Sequence, residues 1–249
     1  MRKILFFLFI TGAINSFAQT RSLVGVSLVK PKMGKEAAFE AAWKAHLKKF
    51  HQADTSNRRG VYEITSGVRD LCYYLTSSGM SWADLDVERS NEKAHDLDYA
   101  STITSTLASS GGNELFRWAD TLSYRPEVKA TKFLLTTYHI KTGKQNDVTD
   151  EIKRTIAVNK KINSPSSFDG FIQQLPGSKP VVVIIRHLKD GFKELDSDSY
   201  KDLNDKFKAA YIEMYGQPAS DKRMTSAADL IDLVEVEMIK YRADLSSAQ

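Results

Sequence analysis

Apolar residues along the chain follow two different periods. Alternation at every second position marks short runs at 23–29, 60–67, 71–76 and 115–124. A three-to-four-residue spacing marks 35–50, where Phe39, Ala42, Trp43, Leu47 and Phe50 form one stripe. The first period is that of a half-buried strand and the second that of an amphipathic helix. A second helical zone, about 86–108, has a thin stripe of Leu97, Ile103 and Leu107. Ser109-Ser110-Gly111-Gly112-Asn113 reads as its cap and exit turn. The predicted order is β-α-β-β-α-β. It then returns as a strand at 133–140, a helix at 148–161, strands at 170–175 and 181–188, a helix at 197–215 opened by Ser197 or Asp198, and a last strand at 230–241. Residues 219–229 read as an insertion before that last strand.

The two halves share more than element order. GVYEITSG at 60–67 is followed 110 residues later by GFIQQLPG at 170–177, with both bounding glycines kept. The same offset relates 71–75 to 181–185, and Trp82-x-x-Leu85-Asp86 to Phe192-x-x-Leu195-Asp196. An offset of 117 relates Tyr124-Arg125 to Tyr241-Arg242. Several matches in one order argue for a duplicated unit. Two tandem ferredoxin-like units are therefore expected, about 22–128 and 130–245, in an α+β fold. Each sheet carries helices on one face and needs cover on the other. Packing the units sheet to sheet supplies that cover and makes a pseudo-dimeric α/β barrel.

In element order, and in the glycine-bounded second strand, the chain resembles the dimeric α/β-barrel superfamily of antibiotic-biosynthesis-monooxygenase-like and NIPSNAP-like proteins. The resemblance covers nearly all of the chain after residue 18. It implies a barrel closed by two such units and allows a cofactor-independent oxygenase. It carries no catalytic residue over to this sequence.

The first residues alter the picture of where the protein works. Arg2 and Lys3, the apolar run 4–10 and Ser16-Phe17-Ala18 before Gln19 have the pattern of a signal peptide, so 1–18 is excluded from the fold and an exported, periplasmic or secreted, protein is expected. No cysteine follows the cleavage site to carry a lipid anchor. The run is too short for a permanent span, and no later stretch is long and apolar enough for one. Lysines are interspersed with acids and the net charge is only +4, which gives no stripe for nucleic acid. The single Cys72 excludes an internal disulfide and reads as a packed thiol.

Candidate chemistry is confined to the strand faces that meet inside the barrel. By the repeat, Trp118 and Asp120 on the fourth strand correspond to Glu235 and Glu237 on the eighth. Leu28 corresponds to His139, and Thr76 to Arg186, whose neighbour is His187. Trp118, Asp120, Glu235 and Glu237 are expected to face inward. Buried carboxylates need partners, and Arg186, His187 and His139 are the nearest candidates. The group reads either as a polar pocket for a small-molecule ligand, set against the second sheet with Trp118 as an apolar wall, or as a structural ion pair, or as an open, wet edge of the sheet. The histidines show no metal-ligand spacing, since His46 and His51 lie five apart and His95 stands in a polar helix. No metal and no cofactor is expected. A histidine-glutamate haem or metal site would have to be assembled by the fold alone. No phosphate loop or nucleophile elbow occurs. Three functions remain: a small-molecule-binding or sensing protein, an oxygenase-like enzyme, and a barrel filled by its own side chains. A homo-oligomer is compatible with each.

Overall fold

The computed structural model describes residues 21–51, 58–88, 90–175, 179–196, 200–225 and 227–247. The expected signal peptide and the expected cap residues Ser197 and Asp198 lie outside them. Eight antiparallel strands close into one barrel. β1 is Leu23–Pro31, β2 Arg58–Ser66, β3 Tyr73–Met80, β4 Leu107–Trp118, β5 Lys132–Ile140, β6 Ser167–Gln173, β7 Val181–Leu188 and β8 Ile231–Tyr241. Their order around the barrel is β1-β3-β2-β8-β5-β7-β6-β4. Each half contributes a four-stranded sheet, β4-β1-β3-β2 and β8-β5-β7-β6. The halves join at both edges, through Tyr62↔Tyr241 to Ser66↔Met238 on one side and Phe116↔Gln173 to Trp118↔Phe171 on the other. The expected pseudo-dimeric α/β barrel is the fold observed.

Helices cover the outside. α1 (Glu36–Phe50) lays Phe39, Trp43 and Leu47 on the first sheet, with Val29, Val61, Tyr73 and Leu75 beneath. α2 (Glu92–Asp98) continues into a π-helical turn at Tyr99–Ile103. α3 (Gln145–Lys161) packs Val148 against Ile140 and Val182 of the second sheet. α4 (Lys201–Tyr215) packs Tyr211 and Ala210 against Val158 of α3. The expected insertion is helical, as α5 (Gln217–Thr225) and α6 (Ala227–Leu230). Among the described residues no helix is long and apolar enough to cross a membrane.

Two expectations fail locally. Ser109–Asn113 is not a helix cap but the middle of β4, which begins at Leu107 and pairs with β1 from Pro31↔Leu107 to Leu23↔Arg117. The long β1 offers a ladder that the weak helical stripe cannot match. β6 pairs only with 116–118, so the serine- and glycine-rich stretch is bonded on one side alone and suits an edge. The second failure is the glycine register. Gly60 pairs with Thr76 and faces the barrel interior, whereas Gly170 pairs with Ile184 and faces outward. A one-residue slip in a strand reverses every side chain. Each glycine answers a different close approach: a Cβ on Gly60 would meet Thr76 Oγ1 at 2.7 Å, and one on Gly170 would collide with the Leu122 carbonyl oxygen.

Candidate functional site

The barrel interior holds a cavity of about 540 Å³. Its wall is apolar, built from the inward positions of alternate strands: Val24, Val26 and Leu28 of β1, Phe116 of β4, Phe171 of β6, Val181, Val183 and Ile185 of β7. The Tyr62 and Tyr241 rings lie tilted to each other with centroids 5.4 Å apart, and Phe133 meets Tyr62 edge-on at 5.8 Å. Burial pushes the Tyr62 phenol up to about 12, so it stays protonated throughout the neutral range. The stretch of β4 that is bonded on one side alone forms a rim through Gly111, Gly112 and Glu114. Gln173 of β6 reaches Glu114 there at 3.4 Å. Cys72 is buried as expected, and burial raises its pKa.

Arg58, Arg59, Ser78 and Ser247 also line the cavity, and at one end a polar cluster is organised by Arg69. The β2–β3 turn is forced close to β8: Gly67 has φ +130°, and a Cβ there would lie 2.8 Å from both the Val236 carbonyl oxygen and the Glu237 side chain. That approach carries Arg69 inward. Its Nε donates to Glu237 Oε1 at 2.8 Å and its Nη2 to Glu235 Oε2 at 3.2 Å. Tyr74 donates its hydroxyl to the other Glu237 oxygen at 2.6 Å. Glu237 is only 1% exposed, with each carboxylate oxygen bonded. Burial opposes the Arg69 charge, but the Glu237 hydrogen bond and the surrounding charges outweigh it and raise its pKa. Burial first, and the bond to Glu237 second, push the Tyr74 phenol up as well. His139 Nε2 lies 3.2 Å from Glu235 Oε2. Donation of Nε2–H to that carboxylate leaves Nδ1 as an acceptor.

The predicted site residues therefore separate into groups. Glu235, Glu237 and His139 come together as expected, with Glu235 and His139 lining the cavity. Glu237 is consumed by Arg69 and Tyr74, a structural ion pair in which Arg69 stands where Arg186 or His187 was expected. His187 faces inward but at a different level. It bonds Asp169 Oδ2 at 2.9 Å, and Trp118 Nε1 donates to Asp169 Oδ1 at 3.0 Å. Arg125 also bonds Asp169 and lies 4.7 Å over the Trp118 ring. Burial of Asp169 would raise its pKa, but the hydrogen bonds from His187 and Arg125 win and hold it low. Trp118 is thus not the cavity wall; Phe116, two residues earlier, takes that place. Asp120 leaves the strand altogether and lies exposed in a short 3-10 turn, because β4 ends at Trp118. Arg186 points outward, 3.8 Å from Glu194 and with its guanidinium 4.3 Å over the Tyr200 ring. Its parity is opposite to that of His187, so the two could not both face the barrel. Sequence reasoning missed Arg69, which belongs to a turn and has no periodicity to betray it. It also missed Tyr74, which parity alone could have placed.

No protein-family model matches the sequence, and no curated protein matches it either. Solved structures match over nearly the whole chain. A putative monooxygenase from Lactobacillus acidophilus superposes with a TM-score of 0.57 at 10% identity, covering 92% of this chain and 97% of that one. A putative monooxygenase from Fusobacterium nucleatum gives 0.54 at 14% identity, covering 89% and 93%. An anthrone oxidase-like protein gives 0.53 at 12% identity, covering 92% and 94%. At such identities the likeness is one of fold.

Proposed function

We propose that the protein binds a small, mostly apolar molecule with one polar end inside the barrel. The observation that carries this reading is the 540 Å³ cavity, with a largely apolar wall and a cluster of Arg69, Glu235 and His139 at one end, while Arg58, Arg59, Ser78 and Ser247 also line it. Its size lies within the range of small-molecule sites, which run from about 300 to about 1,000 Å³. The same cavity speaks against a barrel filled by its own side chains. The polar end favours a hydroxyl over a carboxylate. Arg69 is already shared by two carboxylates, so the balance at this end is negative, and an anionic group placed there would meet repulsion. A ligand O–H has Glu235 as an acceptor, or Nδ1 of His139. A planar aromatic alcohol fits both the wall and the anchor.

A probe for this reading is 2-naphthol, whose own fluorescence reports a dry environment. Titration is expected to show saturable binding, weakened about tenfold in His139→Leu if one hydrogen bond of about 1.4 kcal/mol is lost. Absence of saturable binding by the wild type would overturn the reading.

A second reading is an oxygenase acting on such a molecule. The likeness in fold to putative monooxygenases and to an anthrone oxidase-like protein favours it. Folds host many chemistries, so the likeness alone assigns none. An oxygen electrode separates the two readings: an enzyme consumes oxygen in the presence of a hydroxylated aromatic, and a binding or sensing protein does not. Export belongs to the proposal too. Mass spectrometry of the product from the native host is expected to find Gln19 at the N-terminus, and a retained Met1 would contradict it.

A further inference from the structure

The second place where chemistry converges lies outside the barrel, between α1 and α2. His46 stands in α1, and His51 is the residue that ends it, its N–H bonded to the Leu47 carbonyl. α2 sets His95 across both. Nε2 of His46 lies 3.1 Å from Nε2 of His95, and Nε2 of His95 lies 3.3 Å from Nε2 of His51. One ligand nitrogen from each ring falls within 4.8 Å of the other two. The fold thus assembles what spacing did not announce, because His46 and His95 are 49 residues apart.

The far sides of two rings fix which nitrogens carry protons. His46 Nδ1 is 2.8 Å from Asp98 Oδ2, and His95 Nδ1 is 3.0 Å from Asp96 Oδ1. A carboxylate accepts, so each Nδ1 carries its proton and each neutral ring keeps its lone pair on Nε2. Two lone pairs aimed at each other across 3.1 Å repel. Something positive must lie between them, either one extra proton or a metal ion. His46 is only 1% exposed, so the space between the rings is closed to bulk water on its side. The spacing suits a metal. Tetrahedral coordination with metal–nitrogen bonds of about 2.0–2.1 Å sets neighbouring ligand nitrogens about 3.3–3.4 Å apart. A carboxylate behind a ligating histidine is the usual device for fixing its tautomer and orientation. Lys49 bonds the outer oxygen of Asp98 at 2.8 Å and holds that carboxylate in place.

We infer that His46, His51 and His95 form a three-histidine site for a divalent cation of the zinc class, oriented by Asp98 and Asp96. All-imidazole ligation suits Zn²⁺, Co²⁺, Ni²⁺ and Cu²⁺ and disfavours Ca²⁺ and Mg²⁺, which take oxygen ligands. His46 and His51 are buried, while His95 is partly exposed and gives the ion its way in. A bound ion would clamp the short α2 onto α1. Three protein ligands leave a fourth position for water or a substrate atom. The site is independent of the barrel cavity, and its failure would leave the proposed function standing.

The test uses the tag-free chain from Gln19 onward, stripped with chelator and titrated with Co²⁺ and then Zn²⁺. One equivalent of Co²⁺ is expected to give the strong visible bands of low-coordinate cobalt, bleached by one equivalent of Zn²⁺. Zinc should also raise the melting temperature. His95→Gln, at a partly exposed position, is expected to fold and lose the bands. Asp98→Asn should weaken binding by about 10- to 100-fold. Val26→Trp, inside the barrel, should leave uptake unchanged. The inference is overturned if the wild type takes up neither metal at micromolar concentration, which would make the trio a proton-bridged network. It is equally overturned if uptake persists undiminished in His95→Gln.

Discussion

At the scale of single residues, Arg69 holds the polar end together. Removing it strands Glu237, a carboxylate 1% exposed, with only the Tyr74 hydroxyl for company. Arg69→Met is expected to cost about 3–5 kcal/mol in urea denaturation, the usual penalty for leaving one member of a buried ion pair behind. Replacing both partners, Arg69→Met with Glu237→Met, should recover most of that loss, since an apolar pair of similar volume tolerates the site. A double variant no more stable than Arg69→Met would show that the network itself is required. Asp169 gives a prediction in pH. Its folded pKa lies below the ordinary 3.8, so its ionised form stabilises the fold at all pH above that value. The contribution is lost as pH falls from 3.8 through the lower folded value. Acid titration followed by circular dichroism should therefore show Asp169→Asn less sensitive to pH in that window than the wild type. An equal dependence would contradict the assignment. Strand alternation was enough to place Glu235, Glu237 and His139 together. It was not enough to place Arg69, because an arginine in a turn carries no period, and its direction is set by the tight approach at Gly67.

Elements were more legible than registers. Long, strongly periodic segments such as α1 and β5 follow their pattern closely, because one face is fully committed to a core. β4 does not. Its serine and glycine residues look like a helix exit when read alone, and only the ladder offered by β1 makes them a strand. Ending that strand at Trp118 is also what removes Asp120 from the interior. The glycine repeat shows a subtler limit. Both glycines are needed, but on opposite faces, and a sequence match cannot report which face a residue serves. Substitution separates them. Gly170→Ala drives a methyl into the Leu122 carbonyl oxygen, a backbone atom with little room to move, and should cost about 1–3 kcal/mol or more by overpacking. Gly60→Ala meets the Thr76 hydroxyl, a side chain that can rotate away, and should be milder. Thermal melts of the two variants check this order, and the reverse order would contradict the two facings.

For the whole molecule, duplication explains why one chain makes a closed barrel: neither sheet can leave its inner face in water, and each covers the other. Element order alone carried that conclusion. The open interior was not legible, since cavity volume depends on how side chains from eight strands meet at the centre and not on any single pattern. The clustering of His46, His51 and His95 was hidden for a similar reason, as it depends on where α2 docks on α1. The central claim is that the barrel interior receives a ligand, and filling it tests the claim most directly. Val26 is half-buried on the wall of the cavity. Calorimetric titration of 2-naphthol into the wild type and into Val26→Trp, with circular dichroism to verify the fold of both, is expected to show binding to the first and none to the second. Equal affinity in the two folded proteins would place the ligand elsewhere and contradict the account.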